Sequence, residues 1–470
     1  MFAETAYLFR HALLREAAYQ LQLPGDRARL HALAFEIIEQ LHGGRAPMPG
    51  ALDDYLLARL LPHATDGVAE ELAGHAALAV DERGEPILPG LQVLYLQRHA
   101  CLCTERCRHE AAARAWQAAA ALSPNADRQT MLRFAADSLQ QLGRGREAEP
   151  IVAQALALAR GCGDQLQECW LLVLLATIQR ELGQPDASEI NYQLALAAAR
   201  AIKNRRAEGI TLGGLAVVYQ NTGKFELADA TLKQAYEIHR ETGNRKHQGT
   251  ALSNLAITQR DLGNNEAAEA LYTQALALQR EIGEKRHEGL TLTNLASIYR
   301  VKGRNQEAET LMFDGLRNLR ETGDRRSEGT ALTNLAVLYQ NTGRDQLAEL
   351  TFGEALSIHR EVGNRRFEGV TLGNLALIQM QSGRLELAEQ NYSAALAIHR
   401  EVRHRRFEGI NLCDYALCQL ALGRHSDAPR LWREGAAILR EFADKTVQER
   451  KTESMRAACA KAGVKPFDES

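Results

Sequence analysis

The sequence predicts an all-α protein, an α-solenoid of stacked helix hairpins with a helical N-terminal region. A unit of 40 residues returns in a single frame along most of the 470-residue chain. A glycine column marks the middle of each unit: Gly143, Gly183, Gly223, Gly263, Gly303, Gly343, Gly383 and Gly423. An arginine column marks its end: Arg160, Arg200, Arg240, Arg280, Arg320, Arg360, Arg400 and Arg440. Eight units share this frame, and a fixed period of this length is typical of a solenoid.

Each unit reads as two helices. Leu252, Leu255 and Ala256 fall on one helical face, and Gly263 can adopt the left-handed conformation that ends a helix. Small and aromatic residues then recur at helical spacing, as in Ala268, Tyr272 and Ala275. The arginine that closes the unit offsets the negative end of the second helix dipole, which is a structural role.

A further glycine column lies near the start of each first helix, at Gly209, Gly249, Gly289, Gly329, Gly369 and Gly409. Glycine inside a helix costs up to about 1 kcal/mol relative to alanine. We expect that a neighbouring helix approaches too closely there for a Cβ atom; the alternative is that the helix begins after the glycine.

The repeated pattern carries a family resemblance, in the order Leu335, Ala336, Tyr339, Gly343, Ala348, Phe352 and Ala355. This order resembles the tetratricopeptide pattern. The Gly-Asn-Arg-Arg-x-Glu-Gly junction at 363–369 is similar to the lengthened repeats of Pins-type adaptors, and the Leu-x-Asn-Leu-Ala string resembles kinesin light chain. The unit exceeds the usual repeat of about 34 residues by about six, or roughly 9 Å of helix shared between the two helices. The resemblance implies that the first helices line a concave groove.

The predicted organisation has four parts. Residues 1–86 form a helical N-terminal region, with helices at 27–41 and 51–60 and loops at 42–50 and 81–90. Residues 87–127 form a degenerate repeat, 128–442 the eight repeats, and 443–470 a capping helix, expected at 445–462, and a tail. The tail after Gly463 is expected to be loose.

The N-terminal region carries a second resemblance. Residues 9–31, which begin Phe-Arg-His-Ala-Leu-Leu-Arg-Glu-Ala-Ala-Tyr, resemble the segment downstream of the nucleotide-binding module in bacterial signalling ATPases. The resemblance implies a possible upstream nucleotide-binding module as a partner. Neither a G-x-x-x-x-G-K-[ST] phosphate loop nor a G-x-G-x-x-G motif occurs in the chain.

The positions beside the core residues of the first helices are the candidate groove residues. One column reads Gly213, Ser253, Thr293, Thr333, Gly373 and Cys413, and the next contains Asn254, Asn294, Asn334 and Asn374. In kinesin light chain and its relatives, matching asparagines contact peptide, which implies the same role here. An amide can pair with the main chain of an extended peptide without demanding one sequence. Alternatively, the asparagines bridge neighbouring repeats.

Four longer polar side chains are expected on the same wall: Gln220, Arg260, Arg300 and Gln340. Arg260 and Arg300 favour an acidic residue in the ligand, because guanidinium groups pair with carboxylates. Met380 and Leu420 occupy the corresponding later positions. We therefore expect the polarity of the ligand to change along the groove.

Composition excludes several classes of function. Lys and Arg total 56 against 59 for Asp and Glu, so the net charge of −3 gives no general attraction to nucleic acid or anionic membrane. The longest apolar run, 170–178, is much shorter than the about 20 residues that a membrane-spanning helix needs. Residues 1–19 lack the pattern of a secretion signal. We expect a cytoplasmic protein.

The residues most suggestive of metal are Cys101, Cys103 and Cys107 with His99 and His109, because thiolates and imidazoles bind zinc. Paired C-x2-C elements are missing and the stretch fits a repeat helix, so we expect core thiols and neither metal nor cofactor. No converging catalytic group is recognisable, and no enzyme activity is predicted.

Three functions remain: a scaffold or sensor that binds protein or peptide, a regulatory half of a signalling ATPase, and a nucleic-acid-binding solenoid. The third depends on basic junctions at Arg205-Arg206, Arg245-Lys246, Lys285-Arg286, Arg325-Arg326, Arg365-Arg366 and Arg405-Arg406. Stacking would align them into a ridge that could bind phosphates. Glu or Gln follows each pair, and interleaved aromatic residues are lacking, so local ion pairs are favoured.

Overall fold

A computed structural model describes residues 23–49, 61–441 and 445–468. These residues form helices joined by loops, and an isolated bridge between Val80 and Pro86 is their only β pairing. The all-α prediction is confirmed. The predicted helix at 51–60 and the first part of the ATPase-like segment, residues 9–22, lie outside the described residues.

Within the described residues, four α-helices and a 3-10 helix precede the regular hairpins. They are α1 (Pro24–Leu41), a 3-10 helix (Ala64–Val68), α2 (Ala69–Leu78), α3 (Pro89–Glu105) and α4 (His109–Leu122). The last two form the hairpin that the sequence marks as a degenerate repeat. Its core contains Trp116, which packs against Phe134 with 5.2 Å between ring centroids.

Eight hairpins follow at the predicted spacing. Their first helices are α5 (Asn125–Gln141), α7 (Gln165–Glu181), α9 (Arg205–Asn221), α11 (Arg245–Asp261), α13 (Lys285–Val301), α15 (Arg325–Asn341), α17 (Arg365–Gln381) and α19 (Arg405–Ala421). Their second helices are α6 (Gly145–Cys162), α8 (Pro185–Ala201), α10 (Phe225–Glu241), α12 (Asn265–Glu281), α14 (Asn305–Glu321), α16 (Asp345–Glu361), α18 (Leu385–Glu401) and α20 (Ala428–Glu441). A final helix is α21 (Lys445–Ala462).

The chain divides into two compact units. The first contains residues up to Gln141 together with Glu147–Leu171, and the second contains Leu142–Arg146 and the residues from Leu172 onward. The predicted division at residues 86, 127 and 442 follows the repeat pattern and stays a prediction.

A buried arginine ties together the loops of the first unit. Arg98 in α3 is 1% exposed, and its guanidinium donates to Asp66 at 2.7 Å. It also donates to the carbonyl oxygens of Pro47 at 2.8 Å and Leu61 at 2.9 Å. Because a buried charge needs such partners, these bonds fix both loop segments to α3.

Local sequence ends each helix as predicted. Gly263, after α11, has a φ of 87°, in the left-handed region that glycine adopts without a Cβ penalty. The side chain of Asp324 accepts from the backbone N–H of Ser327 at 3.0 Å and so caps the start of α15. Between the helices, small and large apolar residues alternate, as in the cluster of Ala256, Ala268, Tyr272, Leu292 and Ile298.

The glycine column near the start of the first helices marks close helix packing. A Cβ atom at Gly209 would lie 2.7 Å from Cε1 of His239 in α10, and one at Gly289 would lie 3.0 Å from the carbonyl oxygen of Gly315 in α14. Since α9 begins at Arg205, before Gly209, the alternative of a late helix start is wrong. The expectation of close approach is confirmed at five of the six glycines, the exception being Gly249, where a Cβ atom would make only ordinary contacts at 3.4 Å or more.

In the second unit, loops that are far apart in the sequence contact each other. A Cβ at Gly183, after α7, would lie 2.5 Å from the carbonyl oxygen of Val402, which follows α18. Residues between five and six repeats apart therefore touch across one turn of a superhelix. Burial lowers the pKa of Arg366 to about 10, helped by the nearby charge of Arg180 across the same contact. The inner surface is enclosed within this turn.

The C-terminal helix continues the stack. Lys451 in α21 forms a buried ion pair with Asp414 in α19. The expectation of a loose tail is wrong for residues 464–468, because Phe467 is only 5% exposed and its backbone N–H donates to Sδ of Met455 at 3.2 Å. Burial of one aromatic ring is enough to anchor this short segment. None of the described helices has the length and apolar character needed to cross a membrane.

Candidate functional site

The first helices line the inner curve of the second unit. Each first helix from α9 to α17 contacts the next first helix, whereas successive second helices in the described residues make no comparable contact. Stacked hairpins lie closer together along the inside of a curve than along the outside. On α11, α13, α15 and α17, the side chains that do not pack against a neighbouring helix therefore point into the concave groove.

The four predicted asparagines occupy this position. Asn254, Asn294, Asn334 and Asn374 lie on successive first helices, and all four are half-buried. Within the described residues, none of their side-chain amides has a hydrogen-bond partner, and their polar atoms keep access to solvent. The alternative, in which these amides bridge neighbouring repeats, finds no hydrogen bond to support it. We call these four residues the asparagine column.

At both ends of the asparagine column, residues of other types occupy the equivalent position. At the corresponding position of α9, Gly214 leaves space that the ring of Tyr192 fills, so that a Cβ atom would collide with the ring. At the corresponding position of α19, the carboxylate of Asp414 is buried against Lys451. The open amides are therefore confined to four consecutive repeats.

Four members of the neighbouring column of small residues are buried and do not face the groove, so the sequence expectation is wrong for Thr293, Thr333, Gly373 and Cys413. Thr333 is 2% exposed, and its hydroxyl pairs with that of Thr371 at 2.9 Å and with Nε2 of His359 at 3.2 Å. A Cβ at Gly373 would lie 2.5 Å from the side chain of Asn411. These residues are small because they lie where one hairpin packs on the next.

The longer polar side chains differ in how fully they are engaged. The amide of Gln220 donates to the carbonyl oxygen of Asn254 at 2.9 Å and to the hydroxyl of Thr258 at 2.8 Å, and so joins adjacent first helices. Gln340 donates to Gln381 at 3.4 Å. Their roles in ligand binding stay predictions.

The two predicted arginines lie on adjacent helices near a third. Arg260 pairs with Asp261, the next residue, at 2.8 Å, whereas the side chain of Arg300 has no hydrogen bond or ion pair within the described residues. Burial lowers the pKa of Arg300, and the positive charges of Arg260 and Arg450 lower it further. The sequence pattern missed Arg450 because it lies in α21, outside the repeat frame. We call Arg260, Arg300 and Arg450 the arginine cluster.

The first arginine of a basic junction is paired with carboxylates. Arg325 donates to Glu328 at 2.7 Å and to Glu361 at 2.8 Å, while Arg320 donates to the other oxygen of Glu328 at 2.7 Å. The same arrangement recurs at Arg365, where the partners are Glu368 and Glu401. This junction network engages the first arginine of each pair, whereas Nη1 of Arg326 is buried without a hydrogen-bond partner in the described residues.

The cysteine and histidine residues near α3 do not converge. Cys103 lies 3.4 Å from Nε2 of His99, while burial raises the pKa of Cys101 to about 12. In the described ranges, no group of three or more His, Cys, Asp or Glu side chains is placed to hold a metal ion. The cysteines of the described helices are free thiols.

The sequence matches a family model over most of the repeat array. The model is described as a tetratricopeptide repeat and matches residues 127–201, 208–281, 288–361 and 367–441, which together exceed half of the chain. The chain is a tetratricopeptide repeat protein. No match was found among curated protein sequences.

Solved structures are similar to this tetratricopeptide repeat protein to different degrees. A Rap protein complexed with Competence and Sporulation Factor has a TM-score of 0.55 at 15% identity, covering 75% of this chain and 99% of its own. A STAND ATPase with a tetratricopeptide repeat sensor from Pyrococcus horikoshii gives 0.49 at 13% identity, covering 94% of this chain and 67% of its own. A kinesin light chain-like repeat protein from Podosopora anserina gives 0.35 at 20% identity, covering 43% and 99%.

Proposed function

We propose that this tetratricopeptide repeat protein is a scaffold or sensor that binds an extended segment of another protein in its concave groove, without chemistry of its own. The asparagine column supports this proposal most directly. Four half-buried amides stand on successive repeats with no partner in the described residues. Polar groups held at a concave surface are normally satisfied, and the main chain of an extended peptide offers both donors and acceptors.

The enclosure of the groove favours an extended ligand. The loop at Gly183 touches the loop at Val402 one superhelical turn away, so the inner surface is a channel bounded by first helices. An extended strand fits such a channel better than a folded domain does. The Rap protein of similar fold was solved with Competence and Sporulation Factor bound, which shows that a solenoid of this fold can hold a ligand.

The alternative functions receive less support. The junction network pairs Arg325 and Arg365 with glutamates, which reduces the charge that a nucleic-acid ridge would offer. The link to a signalling ATPase depends mainly on residues 9–31, of which 9–22 lie outside the described residues. It stays a prediction, and a sensor role in such a system would use the same groove.

The test is a double substitution, Asn294→Ala with Asn334→Ala. Peptides selected from a random display library on the wild-type protein serve as probes, and calorimetry measures their affinity for each variant. Each lost amide contact is worth about 1 kcal/mol, so affinity should fall about 10- to 30-fold. Thermal stability should hardly change, because neither side chain has a partner to lose.

Asn221→Ala with Asn341→Ala is the matched control. Both asparagines are exposed and close the first helices α9 and α15 outside the column. The control should bind the selected peptides as tightly as the wild type does. A large fall in melting temperature with unaltered binding in the column variant, or failure to select any peptide, would contradict the proposal.

A further inference from the structure

The arginine cluster concentrates positive charge on one part of the groove wall. Arg260 and Arg300 hold the same position on α11 and α13, which contact each other. Each lies six residues after a member of the asparagine column, a rise of about 9 Å along the helix. Both are half-buried, and the positive charge of the exposed Arg450 in α21 contributes to lowering the pKa of Arg300.

The cluster lacks the carboxylates that compensate arginines elsewhere. Arg325 and Arg365 each bind two glutamates. In contrast, the side chains of Arg300 and Arg450 make no hydrogen bond or ion pair within the described residues, and that of Arg260 pairs with its sequence neighbour Asp261. Partly desolvated like charges repel each other, so the free protein is less stable there than it would be with an anion present.

We propose that the arginine cluster is an anion-binding subsite of the groove that takes a carboxylate side chain of the bound peptide. The inference rests on the proposed peptide-binding function and adds the chemistry of the ligand. Guanidinium groups recognise a carboxylate through paired N–H donors, and bonds of this kind are about twice as strong as neutral ones. An enclosed groove strengthens them, because the surrounding protein lowers the effective dielectric constant.

The subsite is local, which fixes where the acidic residue must lie in the ligand. Gln220 and Gln340 occupy the corresponding positions on the flanking repeats, and Met380 follows. From α9 to α17, positive charge at this position is thus limited to α11 and α13. A ligand with an acidic residue opposite α11 and α13, and uncharged residues on either side, matches this pattern.

Fluorescence anisotropy with defined probes tests the subsite. The probes are short labelled peptides of alternating Glu and Ser, and their Gln and Ser counterparts, all with amidated C termini. The wild type should bind the glutamate peptide about tenfold more tightly than the glutamine peptide, as expected for a charge-assisted contact. Arg300→Gln and Arg450→Gln should each remove most of this preference and leave the affinity for the glutamine peptide unchanged.

Arg317→Gln is the matched control. Arg317 lies on the second helix α14, is 65% exposed and pairs with Asp314, so its loss should leave the preference intact. A glutamine peptide with a free C terminus tests whether a terminal carboxylate is the anion instead. If that peptide alone gains affinity through Arg300, the assignment to a side-chain carboxylate is overturned.

Two outcomes separate this inference from the proposed function. If the wild type shows no preference for glutamate, or if the preference persists in Arg300→Gln, the anion subsite is wrong. If Asn294→Ala with Asn334→Ala retains full affinity for both peptides, the role of the asparagine column is wrong. Loss of affinity for both peptides in the asparagine variant, together with loss of glutamate preference in Arg300→Gln, supports both.

Discussion

A Cβ atom at Gly329 would lie 2.8 Å from Cε1 of His359, because the imidazole ring packs directly against the backbone of α15. His359 is completely buried, and its Nε2 pairs with the hydroxyl of Thr333 at 3.2 Å. The ring is therefore held from two sides. Gly209 meets His239 in the same way, and Gly369 meets His399.

Gly329→Ala should destabilise the protein, because the ring of His359 has no free space into which to move. Overpacking of this kind costs about 1–3 kcal/mol, while alanine regains up to about 1 kcal/mol of helix propensity. The expected net loss is about 1–2 kcal/mol. Urea denaturation followed by circular dichroism measures it.

Gly249→Ala provides a control within the same column. Its Cβ would lie 3.4 Å from Cγ of Gln279, which is an ordinary contact with a flexible side chain. Stability should stay constant or rise. Equal losses in the two variants would show that the glycines are needed for another reason than the histidine rings.

The glycine column shows what the repeat pattern can and cannot predict. Six glycines at one register indicate close packing, because a helix interior does not keep such a costly residue without a reason. The identity of the neighbour could not be predicted, since it depends on how one hairpin crosses the next. Gln279 and His359 hold the same register, and only their geometry shows that one requires glycine strictly and the other does not.

The residues of the groove could likewise be predicted only in part. Helical periodicity placed Asn294 beside the buried Leu295 and so near a surface, and the family resemblance assigned that surface to the concave side. Periodicity could not separate it from Thr293, one residue earlier, which is buried between repeats. The effect of Arg450 on Arg300 could not be predicted from the sequence, because it depends on the curvature accumulated over several repeats.

Acidification should destabilise the repeats through three buried histidines, His239, His359 and His399. Burial lowers the pKa of each to about 4, well below the usual value of about 6.5. The unfolded chain therefore binds protons first as the pH falls. The free energy of unfolding should be constant above about pH 6.5 and should decrease between about pH 6.5 and pH 4, by something of the order of 3 kcal/mol for each histidine.

His359→Gln and His399→Gln should flatten this pH dependence, and Gln279 shows that the position accepts glutamine. The melting temperature measured from pH 7 to pH 5 is the readout. His425→Gln removes an exposed histidine and should leave the slope as it is in the wild type. A slope that persists in the buried variants would assign the acid sensitivity to other groups.

One repeat lacks the glutamate that lies at the centre of the junction network in other repeats. In four repeats a buried glutamate accepts from two arginines, as Glu328 does from Arg320 and Arg325 at 2.7 Å each, although it is only 3% exposed. In the repeat that begins at α11, Gln248 stands in that position, and Arg240 turns back to Glu237 on its own helix. Gln248 is 8% exposed, so the position is as enclosed as its equivalents.

Gln248→Glu should complete the network and raise stability by about 1 kcal/mol, since both arginines are half exposed and solvent screens the attraction. Glu328→Gln should lower stability by about 1–3 kcal/mol, because the guanidinium groups of Arg320 and Arg325 each lose a charged partner in an enclosed place. Glu307→Gln, which removes an exposed partner of Arg304, should change little. Thermal melts at low and high salt test these predictions. If the gain in stability from Gln248→Glu is electrostatic, it must shrink as the salt concentration rises. A gain that is independent of salt would mean that the glutamate acts through packing or helix propensity.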